Sequence, residues 1–175
     1  MLPAACAGQA WALRVVYDDL APRVHGYLRA RGAAEPEDLT SEVFLAVLPR
    51  LATVTGGAAG LQTLVFSVAH ARLVDDLRRQ TRRGPTVEYD QQEDRRPARS
   101  AEDEALDHLG TDRVRALLAA LPADQRDVLL LRIISDLTVE QVAQVIGRSP
   151  GAVKQLQRRG LLALRERLEP SRVPL

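Results

Sequence analysis

Apolar residues recur at intervals of three and four along both ends of this chain, and nowhere do they alternate with polar ones. That pattern makes helices and leaves no room for a sheet. Leu13, Val16, Leu20, Val24 and Leu28 form one such stripe and predict a helix over residues 10–31, which Pro22 should bend or split and Gly32 should stop. Pro36 suits the first position of a second helix, with Glu37 and Asp38 at its positive end. Leu39, Val43, Ala46, Val47 and Leu51 are its apolar face, and Pro49 should end or distort it. Thr53–Gly60, with three glycines, reads as a small-residue loop. A third helix is expected from Leu61 to about Arg83, its stripe passing from Leu64, Val65 and Val68 to Arg72, Asp75, Asp76 and Arg79.

Residues 84–105 break the pattern. They hold two prolines, few aliphatics and seven acids against three arginines, a net charge of −4, between flanks of +2 and +3. Such a break marks a boundary. Helical periodicity then returns over Leu106–Leu121, from Ala123 to Ile134 after Pro122, over Val139–Ile146 and over Pro150–Leu168. The expected fold is all-α: two small helical domains, 1–83 and 106–175, joined by an acidic flexible linker, 84–105.

Several classes of function drop out. A chain of 175 residues, 46% hydrophobic, can bury a core and is not disordered throughout. No apolar run reaches the roughly 18–20 residues of a membrane span, so membrane insertion is not expected. Met1–Leu13 lacks the basic start of an export signal. The one cysteine, Cys6, excludes a disulfide framework and a Cys-rich zinc site, and a cytoplasmic setting is the simplest expectation. His25, His70 and His108 are scattered, and no phosphate-loop, dinucleotide-binding or zinc-hydrolase spacing occurs. We therefore expect no enzyme activity, no cofactor and no metal.

The richest signal is residues 137–156, LTVEQVAQVIGRSPGAVKQL. Thr138 is a good N-cap and Gln141 can close a capping box. Val142 and Ile146 point to a core, and Ala143 is small where two helices cross. Gly147 suits a tight turn, Ser149 caps the next helix, Pro150 occupies its first position, and Val153 and Leu156 return to the core. This is helix-turn-helix grammar over 138–168, with the second helix available to a DNA major groove. Gly151, Lys154, Gln155 and Arg158 lie at i, i+3, i+4 and i+7 on its outer side, flanked by Arg148, Ser149 and Arg159. Arginine forks onto guanine, glutamine pairs with adenine, and lysine meets guanine or phosphate. Composition alone leaves a solvated, dipole-matched helix end equally open.

Two longer stretches carry a family resemblance. Residues 118–132, LAALPADQRDVLLLR, with the motif above and residues 160–165, GLLALR, resemble the −35-reading domain of bacterial sigma factors of the extracytoplasmic-function (ECF) class. Residues 37–45, EDLTSEVFL, resemble the polymerase-binding segment of their N-terminal domain, and residues 66–79, FSVAHARLVDDLRR, the −10-reading helix that follows it. The likeness covers about residues 12–83 and 106–168.

It implies a promoter-recognition factor for RNA polymerase. Asp38, Leu39, Glu42 and Phe44 would dock on the polymerase β′ clamp, with a second contact between the C-terminal domain and the β flap. Asp38 merely favouring the helix dipole, with Phe44 in the core, stays open. His70, Arg72, Arg78, Arg79, Arg82 and Arg83 would follow the −10 element, with Asp75 and Asp76 orienting the arginines. Arg148, Ser149, Gly151, Lys154, Gln155, Arg158 and Arg159 would follow the −35 element. The loop Val54–Gln62 corresponds to the segment that captures an unstacked base. Many members carry Trp where this chain has Leu64 and Asn where it has Ala71. An anti-sigma partner is implied as well. A self-sufficient helix-turn-helix repressor is the nearest rival, and it leaves residues 37–83 without a task.

Overall fold

The computed structural model describes residues 2–83, 114 and 116–168. Among them every regular element is helical. The α-helices are α1 (Leu2–Cys6), α2 (Ala10–Arg31), α3 (Pro36–Val47), α4 (Gly57–Arg83), α5 (Ala123–Ile133), α6 (Val139–Ile146) and α7 (Pro150–Leu168), and a 3-10 turn spans Leu48–Thr53. The acidic stretch 84–105 and the start of the helix expected from Leu106 lie outside the described residues.

α2 runs unbroken for 22 residues with Pro22 inside it. The proline faces solvent, where a missing backbone donor costs least, while Leu20, Ala21 and Val24 around it are buried and hold the helix against its neighbours. α3 starts at Pro36 and buries Leu39, Thr40, Val43, Phe44 and Val47. The chain then tightens into the 3-10 turn at Pro49, which cannot donate to an α-helical ladder.

α4 begins at Gly57, four residues before the apolar stripe predicts. The loop expected over Thr53–Gly60 shrinks to residues 54–56. Periodicity could not show this, because Gly57, Ala58, Ala59 and Gly60 carry no apolar stripe. Gly60 is required for close approach: a Cβ there would lie 1.7 Å from the Thr55 carbonyl oxygen.

The C-terminal helices follow the sequence closely. Pro122 stands just before α5, at its N-cap position, and α6 and α7 have the expected bounds. α6 lies across the first part of α4, and α5 against α2. Val128, Leu130, Leu131, Leu137 and Val142 thereby join Val24, Tyr27, Val65 and Phe66 in one continuous apolar cluster. The two halves of the chain are packed together.

Candidate nucleic-acid interface

The α6–turn–α7 unit is fixed by local chemistry. Thr138 Oγ1 accepts the Gln141 N–H at 3.2 Å, and Gln141 Oε1 accepts the Thr138 N–H at 2.8 Å, a complete capping box. Gly147 takes a left-handed conformation (φ 65°), and its N–H returns to the Ala143 carbonyl. Ser149 Oγ accepts the Ala152 N–H at 3.2 Å and so starts α7. Val142, Ala143 and Val153 are buried between the helices. With Val153 turned inward, Gly151, Lys154, Gln155, Arg158 and Arg159 are all exposed. Lys154, Gln157, Arg158, Leu161, Leu162 and Arg165 line a shallow groove of about 470 Å³. Arg148 and Ser149 are engaged locally, since Arg148 Nη2 pairs with Asp124 Oδ2 at 2.9 Å and Ser149 serves as the cap.

The charged part of α4 is divided. Arg72, Arg78, Arg79 and Arg82 are exposed. Arg72 Nη1 meets Glu42 Oε2 at 3.1 Å, and Arg78 Nη1 meets Asp75 Oδ1 at 3.6 Å. Asp76 instead accepts from the Ala34 N–H at 3.1 Å and from Gln80 Nε2 at 2.8 Å, so it ties α4 to the α2–α3 turn. The side chain of Arg83 lies outside the described residues. His70 is half-buried and leans toward α2 and α5, with Nδ1 2.8 Å from the Tyr27 hydroxyl. Arg31, His70, Arg78, Arg82, Asp124 and Asp127 contribute to a cleft of about 480 Å³ between α4 and α5.

The α3 surface differs from its sequence reading in one respect. Asp38 and Glu42 are exposed on one face, but Leu39 is only 6% exposed and Phe44 only 3%. Phe44 packs on Tyr17 with ring centroids 4.7 Å apart. Neither can meet a partner directly. The apolar group on the acidic face is Leu45, 70% exposed, at i+7 from Asp38 and i+3 from Glu42. Phe44 thus takes the core position that the sequence left open for it.

Sequence reasoning also missed the polar contacts between the halves. Arg31 donates from Nε and Nη2 to the Asp127 carboxylate, with both side chains less than 10% exposed. Tyr27 donates to Asp127 Oδ1 at 3.3 Å. Burial, with the Asp127 charge second, holds the Tyr27 phenol well above its ordinary pKa. Burial, helped by the Arg31 charge, pushes the His70 imidazole below its usual value against the opposite pull of Asp127 and Asp124. Outside this cluster, the His25 hydrogen bond at 2.8 Å lowers the Glu37 carboxyl.

Comparison with known proteins adds independent findings. Residues 111–164 match the family model described as Sigma-70, region 4. The ECF RNA polymerase sigma factor ShbA of Streptomyces griseus is 38% identical over 133 residues, 74% of this chain and 69% of that protein. SigD of Mycobacterium tuberculosis, also an ECF RNA polymerase sigma factor, is 30% identical over 171 residues, 94% of this chain and 80% of SigD. BldN of Streptomyces coelicolor is 30% identical over 160 residues, 90% of this chain but 61% of BldN. In three dimensions the chain resembles CnrH, solved in complex with the cytosolic domain of CnrY: TM-score 0.69, 20% identity, 95% of this chain and 94% of that one. At that identity the likeness speaks for the all-helical fold.

Proposed function

This chain belongs to the ECF RNA polymerase sigma factors, and we propose that it directs initiation by reading two promoter elements from the surface of core polymerase. Residues 1–83 bind polymerase and the −10 element, residues 106–175 read the −35 element, and 84–105 connect them. The observation that carries the reading is the outer face of α7: Lys154, Gln155, Arg158 and Arg159 stand exposed on a helix whose pose is set by two caps and a buried valine. A helix held this way presents its side chains to a major groove at little cost in ordering.

In this scheme the −35 contacts divide by chemistry. Arg158 and Lys154 meet guanine edges or phosphates, and Gln155 meets adenine. Arg72, Arg78, Arg79, Arg82 and Arg83 follow the −10 backbone, where guanidinium forks suit phosphate oxygens. Polymerase docks on Asp38, Glu42 and Leu45, an acidic face with one protruding leucine, and the C-terminal domain meets the β flap. The Arg72–Glu42 ion pair joins the −10 face to this docking face, so a clamp group that engages Glu42 frees Arg72 for DNA. The chain carries out no covalent chemistry of its own. An anti-sigma protein that covers these faces withholds it from polymerase.

Footprinting tests the proposal. Holoenzyme built from this chain should protect two separated elements upstream of a start site, and the chain alone should protect neither. Tight protection of a single duplex site by the chain alone would favour a self-sufficient repressor.

A further inference from the structure

α4 outruns the core that holds it. It spans 27 residues, about 40 Å. Its last fully buried side chain among the described residues is Leu73. Residues 74–83, about 15 Å of helix, have only the half-buried Val74 and Leu77 as apolar anchors. Arg78, Arg79 and Arg82, assigned above to the −10 element, all lie in this overhang. Apolar contact is non-directional and sets no angle for it. Two polar side chains supply direction. Asp76 Oδ2 accepts the Ala34 N–H at 3.1 Å, and Gln80 Nε2 donates to the Gly32 carbonyl at 3.1 Å and to Asp76 Oδ2 at 2.8 Å. Gly32 is the left-handed end of α2 (φ 86°), and Ala34 stands two residues before Pro36, where α3 begins. The overhang is thereby clipped to the start of the helix that carries Asp38 and Glu42. Among the described residues Asp76 pairs with none of the arginines. Successive helical residues turn by about 100°, so Arg78 and Arg82, two positions beyond Asp76 and Gln80, stand on the opposite side of α4.

We propose that Asp76 and Gln80 are positioning residues for −10 recognition: by clipping the end of α4 to the α2–α3 turn, they hold its arginine face at one angle to the polymerase-docking face. The proposal rests on the promoter reading and adds to it what fixes that angle. Hydrogen bonds suit the task because they weaken steeply when misaligned, and a carboxylate acceptor makes them stronger. The proposal also gives Asp76 a sign that charge alone does not. A carboxylate beside phosphate-tracking arginines repels DNA, so as a mere charge its removal should improve promoter binding. As half of a clip, its removal should impair the −10 contacts.

The test is promoter opening by holoenzyme, read as permanganate reactivity of −10 thymines. Two templates are compared: a promoter taken from start-site mapping, and the same promoter with its −10 element moved by one base pair. That move turns the element by about 35° around the DNA axis. Wild type should open the first template about tenfold better than the second, because a misplaced contact is costly. Asp76→Ala and Gln80→Ala should cut opening of the first about fivefold and shrink the preference to about twofold, with co-purification of core polymerase unchanged. Asp76→Asn, whose amide oxygen can accept both hydrogen bonds, should keep the wild-type preference. Gln80→Glu, equal in size but without a donor, should behave like Gln80→Ala. Three outcomes overturn the clip and leave the promoter reading intact. These are wild-type behaviour of both alanine variants, an equal loss on both templates with the preference kept, and Asp76→Asn matching Asp76→Ala. A wild type that gives polymerase no start-site selectivity overturns both.

Discussion

Replacing Lys154 or Arg158 separates the reading of bases from mere attraction to phosphate. Both side chains are exposed, and neither forms an ion pair among the described residues. Truncation to alanine therefore removes no hydrogen bond or ion pair among the described residues, and stability should stay within about 0.5 kcal/mol of wild type. The two positions lie one turn apart, about 6 Å along the α7 axis, a span of roughly two base-pair steps. If Arg158 forks onto a guanine, Arg158→Ala should weaken binding to the preferred −35 element by about 1–3 kcal/mol, roughly 5- to 150-fold. The loss should shrink on a promoter altered at that base pair. If Lys154 meets phosphate, Lys154→Ala should weaken all promoters alike and reduce the slope of log affinity against log salt by about 0.9. The assay is fluorescence anisotropy of holoenzyme on labelled promoter fragments over a salt series. Unchanged affinity, selection and salt slope in both variants would refute the assignment of the α7 face to DNA.

The remaining faces make their own predictions. Asp38→Lys with Glu42→Lys should abolish co-purification with core polymerase while the circular dichroism spectrum stays native; retained association would refute the α3 docking face. Gly60→Ala should destabilise the chain by about 2 kcal/mol or more in urea unfolding, because a Cβ 1.7 Å from the Thr55 carbonyl outweighs the roughly 1 kcal/mol of helix propensity gained. The pH dependence has a definite sign. His70 in the folded chain titrates below its usual 6.5, so the unfolded chain takes up that proton first. Stability should be fully present above about pH 6.5 and fall as pH drops below it, by at most about 1.4 kcal/mol per unit. His70→Gln should flatten that part of the profile, and an unchanged slope would show that the imidazole is not buried as described.

Helices were legible where the apolar stripe was continuous and a cap marked the end. α6 and α7 came out at their bounds because Thr138, Gly147, Ser149 and Pro150 each have a local job that needs no distant partner. α4 was read four residues short because its first turn is built of small residues, and only the crossing at Thr55 gives Gly60 a reason. The exposed face of α7 was legible for the same reason α7 was: one buried valine fixes which residues face out. Phe44 and Leu45 could not be ranked without knowing that Tyr17 packs on the aromatic. The cluster around Asp127 was beyond reach, since one aspartate before Val128–Leu131 reads as an ordinary amphipathic helix. Its partners Tyr27, Arg31 and His70 come from elements 57 to 100 positions away.

The most direct measurement is start-site mapping of run-off transcripts made by purified core polymerase on genomic fragments, with and without this chain. The account predicts a small set of new start sites, appearing only when the chain is added and sharing two upstream elements at constant spacing. Transcripts whose start sites are the same with and without the chain would contradict it.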